Sequence, residues 1–166
     1  LIFFLWFLVS SYYYKYTCIY NHMKYIITES QNNKLTSNLI DRIKSDGWKK
    51  TAKLIGGEKS LMRLLDIHSP EEYLELFNDM DVVQSKKIPQ VTLFRYGPQK
   101  IMLLDKRQWL DPEIQVDSDT IWFPLKNYFG MSYLDSQKIL KKWLKDSYGV
   151  EGLKPIPVGL SHYIVD

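Results

Sequence analysis

Few residues in this chain have the types and spacing that chemistry requires. Three histidines, His22, His68 and His162, lie too far apart for the short spacings that pair metal ligands. Gly56-Gly57 is not followed by the Lys-Ser/Thr pair that completes a phosphate-binding loop. No Gly-x-Ser-x-Gly nucleophile elbow is present. The acids Asp111, Glu113, Asp117 and Asp119 resemble a nuclease metal run. However, Gln115 stands where such sites carry a lysine two residues after the Glu. A polar strand and turn is the reading that follows. Asp79 and Asp81 form a carboxylate pair without an oxygen-rich loop around it, and read as solvated surface acids. No catalytic residue, metal or cofactor is therefore expected.

What the sequence does supply is a patterned set of cations. Lys138, Lys141, Lys142 and Lys145 recur at i, i+3, i+4 and i+7, which places them on one side of a helix. Ile139, Leu140, Trp143 and Leu144 form the opposite, apolar stripe. Such a lysine face suits either plain solvation or contact with phosphates. Arg95 and Lys100 flank the expected hairpin turn and would add to a nucleic-acid surface if the hairpin acted as a wing. Ala52, followed four residues later by Gly56 and then by Met62 and Leu65, matches a helix-turn-helix spacing. Leu61, Met62, Leu64 and Leu65 nevertheless make the would-be recognition helix apolar, as in a bent helical pair packed into a core.

These residues depend on the elements that hold them. The central stretch is 91–105, VTLFRYGPQKIMLLD. Thr92, Phe94 and Tyr96 alternate with Val91, Leu93 and Arg95, as in a strand. Gly97-Pro98 interrupts it, and 101–104 resumes as an apolar run buried on both faces. The connection is expected to exceed two residues. Ile114 and Val116 mark a third strand over 113–117. Upstream, Thr28 and Gln31 have capping-box spacing, and Leu35, Leu39, Ile40 and Ile43 form a stripe that Gly47 ends. Ser69-Pro70-Glu71-Glu72 opens another helix, with stripe Tyr73, Leu76, Phe77 and Met80. Ile121, Trp122, Leu125, Tyr128 and Phe129 predict a helix, and Ser132 with Asp135 opens the last one.

The fold expected is thus α+β: N-terminal helices, a three-stranded antiparallel meander over about 91–117, helices over about 120–129 and 132–147, and an extended tail. Residues 23–166 are read as one domain. The chain has 166 residues, 45% hydrophobic and 25% charged, with a net charge of +3 too small to imply nucleic acid or membrane by itself. Residues 1–20 are nearly all apolar or aromatic, long enough for a membrane span. They lack the basic start and small-residue cleavage site of a secretory signal. Met23 opens MKYIITESQ, so residues 1–22 are read as upstream translation or a hydrophobic segment. The one cysteine, Cys18, lies there and cannot form an intramolecular disulfide.

The start MKYIITESQ and the pattern Trp122, Phe129-Gly130, Gln137, Ile139, Lys142-Trp143-Leu144, Leu153 and Pro155 resemble small uncharacterised proteins of marine phages and related metagenomes. The resemblance implies Met23 as a start and a viral origin, in the host cytoplasm or on the virion. It implies no activity. The expected function is that of a small non-enzymatic interaction or accessory protein with a protein partner. The alternatives are a winged-helix-like nucleic-acid module using Lys138, Lys141, Lys142, Lys145, Arg95 and Lys100, and a membrane-anchored protein if residues 1–22 are genuine.

Overall fold

The structure is a computed structural model and describes residues 29–107 and 113–160. The expectations for residues 1–22, the Met23 start, the lead-in strand, the Thr28 cap, Asp111, His22 and His162 lie outside the described residues. The chain divides into two units, residues 1–34 and 35–166. Of the first unit, residues 29–34 are described, as exposed helical turns.

The fold is α+β. In chain order the described elements are helices α1 (Glu29–Asp46), α2 (Trp48–Leu54), α3 (Glu58–Leu64) and α4 (Pro70–Glu75), then strands β1 (Asp81–Gln84), β2 (Val91–Tyr96), β3 (Gln99–Asp105) and β4 (Glu113–Asp117). A π-helical turn (Ser118–Trp122), α5 (Phe123–Asn127), α6 (Tyr133–Tyr148) and β5 (Lys154–Val158) follow. The strands form one mixed sheet in the order β1-β2-β3-β4-β5. Only the β4–β5 pair is parallel.

The expected meander therefore forms the middle of a larger sheet. β1 was not anticipated, and part of the expected extended tail is an edge strand. Pro155 and Pro157 explain why β5 does not read as a strand. Proline cannot donate to a ladder, so it is tolerated at an edge. The hairpin turn also differs from expectation. Tyr96 pairs with Gln99, leaving a two-residue connection, Gly97-Pro98. Gly97 takes a positive φ of 51° there, as mirror-image hairpin turns require at their first central position. The register shifts after Phe94, so Arg95 pairs with Lys100 while Phe94 pairs with Met102.

Buried side chains lie on both faces of the sheet. Phe94, Met102, Ile114 and Val116 join the main core with Ile43, Trp48, Leu61, Tyr73, Phe77, Leu140 and Leu144. Val91, Leu93 and Leu103 form a smaller cluster with Leu160 on the other face. Aromatic rings link the helices: Trp48 stands edge-on to Tyr73 at 4.8 Å, and Phe94 edge-on to Tyr148 at 5.2 Å.

Local signals account for the helix starts. Ser69 accepts from the Glu72 N–H while the Glu72 carboxylate accepts from the Ser69 N–H, a complete capping box with Pro70 in the first turn. The helix expected over 120–129 is instead broken into the π turn and α5. Phe123 N–H bonds back to Ser118 O, and Tyr128 N–H to Pro124 O. Asp79 is likewise more than a solvated acid. It accepts from Lys44 Nζ at 2.6 Å and from the Tyr96 hydroxyl at 2.6 Å. Desolvation pulls its pKa up, but these bonds outweigh it and hold the carboxyl below its ordinary value.

Candidate functional site

The α6 lysine face forms as its spacing requires. Ser132 caps the helix, accepting from the Asp135 N–H at 3.2 Å, and its hydroxyl donates to Asp135 Oδ2 at 2.6 Å. Leu140, Trp143 and Leu144 are buried against the sheet, and Trp143 Nε1 donates to Asn78 Oδ1 at 2.7 Å, which fixes the helix rotation. Lys138, Lys141, Lys142 and Lys145 consequently face solvent. Two of them sit near carboxylates: Lys138 lies 3.6 Å from Asp135 and Lys145 lies 2.9 Å from Glu151. The Glu151 hydrogen bond raises the Lys145 pKa. Leu134, four residues before Lys138, is 66% exposed and extends the face with apolar surface, beside the partly exposed Tyr133.

Arg95 and Lys100 do not join that face. Arg95 alternates with Phe94 and so points to the side of Leu93, away from the core that α6 packs on. Its Nε is buried without a hydrogen-bond partner among the described residues. β2 and β3 are flanked by β1 and β4, so their hairpin is interior to the sheet and is not a free wing. The helical pair before it packs as the apolar residues dictate. Gly56 and Gly57, with φ of 90° and 114°, reverse the chain, while Ala52, Leu61, Met62 and Leu65 are buried. Leu64, at 39% exposure, is the apolar residue of α3 left at the surface.

Lys100 instead lines a cleft of about 620 Å³ at the end of the sheet. Lys49, Lys50 and Lys53 of α2 border it, with Trp48, Gln99, Thr120, Asp46, Asp117 and Asp119 among the others. Gly47 makes this geometry. It closes α1, its N–H bonding Ile43 O at 3.0 Å, and turns the chain into α2 with a φ of 89°. A Cβ there would stand 3.1 Å from Gln99 Nε2. Gln99 Nε2 in turn donates to Thr120 Oγ1 at 3.2 Å.

The acids of this region are committed to structure. Asp117 is buried; it accepts from the Thr120 N–H at 2.9 Å and the Leu160 N–H at 3.1 Å. Desolvation nevertheless raises its pKa above the ordinary value. Asp119 lies 3.6 Å from Lys49. Among the described residues no group of three His, Cys, Asp or Glu could hold a metal ion, and no helix is long and apolar enough to cross a membrane.

The α2 lysines were the residues that spacing alone could have flagged. Trp48-Lys49-Lys50-Thr51-Ala52-Lys53 sets three cations on one side of a helix. Their meeting with Lys100 and Gln99 arises from contacts about fifty residues apart in the chain and has no local signal. No family model, curated protein or solved structure matches the chain.

Proposed function

We propose that this protein is a small non-enzymatic interaction protein that docks through the exposed side of α6 on an acidic protein surface. The observation that carries the reading is a single continuous stripe. Leu134 leads into Lys138, Lys141, Lys142 and Lys145, all exposed, on a helix whose other side is held in the core. An apolar residue beside a row of cations suits a partner that offers a hydrophobic contact within a negative rim. The resemblance to phage proteins suggests an accessory or virion-associated setting. Nucleic acid is the second reading of the same stripe, favoured by the lysine spacing alone.

A photo-crosslinking residue at Leu134 or Lys142 tests the docking face. It should trap one protein partner in the source cells, whereas the same residue at Lys86 on the β1–β2 loop should not. Replacing the four lysines by Gln should abolish the product. Equal trapping at Lys86, or trapping that survives the Gln variant, would remove α6 as the docking face.

A further inference from the structure

The cleft bordered by α2 lies apart from the α6 stripe and has different chemistry. Successive helical residues advance about 100°, so Lys49, Lys50 and Lys53 span only about that arc. Their charges crowd the same side, which disfavours the helix by a small amount and needs no compensation from the fold. Lys100 reaches the same cleft from β3. Of the acids that also line the cleft, Asp46 pairs with Arg42 at 3.5 Å and Asp117 accepts from two backbone N–H groups, while Asp119 lies 3.6 Å from Lys49, one of the cleft's own lysines, which a phosphate would have to draw away. Lys50 and Lys53 have no carboxylate partner among the described residues.

A second observation concerns uncharged groups. Trp48 is fully buried, and its indole N–H has no hydrogen-bond partner among the described residues. The Gln99 carbonyl oxygen is buried and unpartnered as well. Buried polar atoms are normally satisfied, so two such atoms, on two residues that line one cleft, call for explanation. The Gln99 amide donates to Thr120 Oγ1, and it lies where a side chain at Gly47 would crowd it. The volume, about 620 Å³, falls within the range of small-molecule sites.

We propose that this cleft binds a free phosphorylated metabolite of nucleotide size. Its phosphates lie on Lys49, Lys50, Lys53 and Lys100, and its uncharged end is hydrogen-bonded by the Gln99 carboxamide. The lysines supply charge-assisted bonds to phosphate oxygens. Gln99 supplies the polar discrimination that a bare cationic patch lacks.

Calorimetric titration of the full chain separates the alternatives, with ATP, inorganic tripolyphosphate and a single-stranded 12-nucleotide DNA as probes. ATP should bind, and K50Q/K53Q should weaken it by about tenfold or more, a loss of about 1.4 kcal/mol per tenfold. Gln99→Ala should weaken ATP while leaving tripolyphosphate within about twofold. K141Q/K142Q should leave ATP binding unchanged, which keeps this site separate from the α6 reading. Thermal unfolding of each variant confirms that the fold is retained. The proposal is overturned if the parent chain binds neither ATP nor tripolyphosphate, or if K50Q/K53Q binds ATP as the parent does. It is equally overturned if Gln99→Ala lowers both probes alike, or if the DNA binds more tightly than ATP.

Discussion

Two lysine clusters on this molecule share a helical spacing and differ in everything around it. On α6, four lysines stand on an open helix face, with Asp135 and Glu151 near its ends. On α2, three lysines border a cleft that Lys100 also lines, together with Trp48 and Gln99, whose buried polar atoms lack a partner among the described residues. An open face can meet only a partner large enough to cover it, whereas a cleft can enclose a small molecule. The spacing of cations in a sequence thus marks a charged face, and the neighbouring elements decide what that face can hold.

The largest effect should come from breaking the wall that distinguishes the cleft. Trp48→Ala removes a fully buried indole packed on Tyr73. It should destabilise by about 3–5 kcal/mol in denaturant unfolding, as large-to-small core changes do. A loss below about 1 kcal/mol would mean that α2 is not anchored as described.

A smaller effect sharpens the electrostatics. Asp117 has a raised folded pKa because burial disfavours its charge. Its contribution to stability is therefore fully present below its ordinary value of 3.8 and is lost as pH rises through the raised value. Asp117→Asn removes this titration, at a pH-independent cost because the Thr120 and Leu160 N–H groups address different carboxylate oxygens, one of which becomes an NH2 donor in the carboxamide. The stability of the parent relative to the variant should fall from about pH 4 upward and then level off. A difference that rises with pH would show that the bonds from Thr120 and Leu160 outweigh desolvation.

The smallest effect belongs to α6. Replacing Lys138, Lys141, Lys142 and Lys145 by Gln should change stability by no more than about 0.5 kcal/mol, since exposed positions contribute little and like-charge repulsion is relieved. A loss of several kcal/mol in thermal unfolding would mean that these lysines support the fold rather than a surface.

The two clusters also differ in how far the sequence revealed them. Capping by Ser69 and Ser132 and the stripe of α6 are local, so residue order alone displays them. The parallel pairing of β5 with β4 joins residues about forty apart, and its prolines disguise it as tail. β1 is four residues long with little apolar alternation, and gave no signal beside the longer strands. Arg95 and Lys100 looked like wing cations because the hairpin was legible while its flanking strands were not. The cleft depends on Gly47, Gln99, Asp117 and Thr120 converging from separate elements, which no periodicity records.

The most direct test of the α6 reading is a titration of labelled single- and double-stranded oligonucleotides against the full chain, at about 50 and 200 mM salt. Docking on a protein partner predicts no appreciable binding at the higher salt, and no difference between the parent and the four-Gln variant. Phosphate contacts would instead release counterions and make affinity fall steeply with salt. Micromolar binding with that salt dependence, abolished in the Gln variant, would contradict the account and assign the α6 face to nucleic acid.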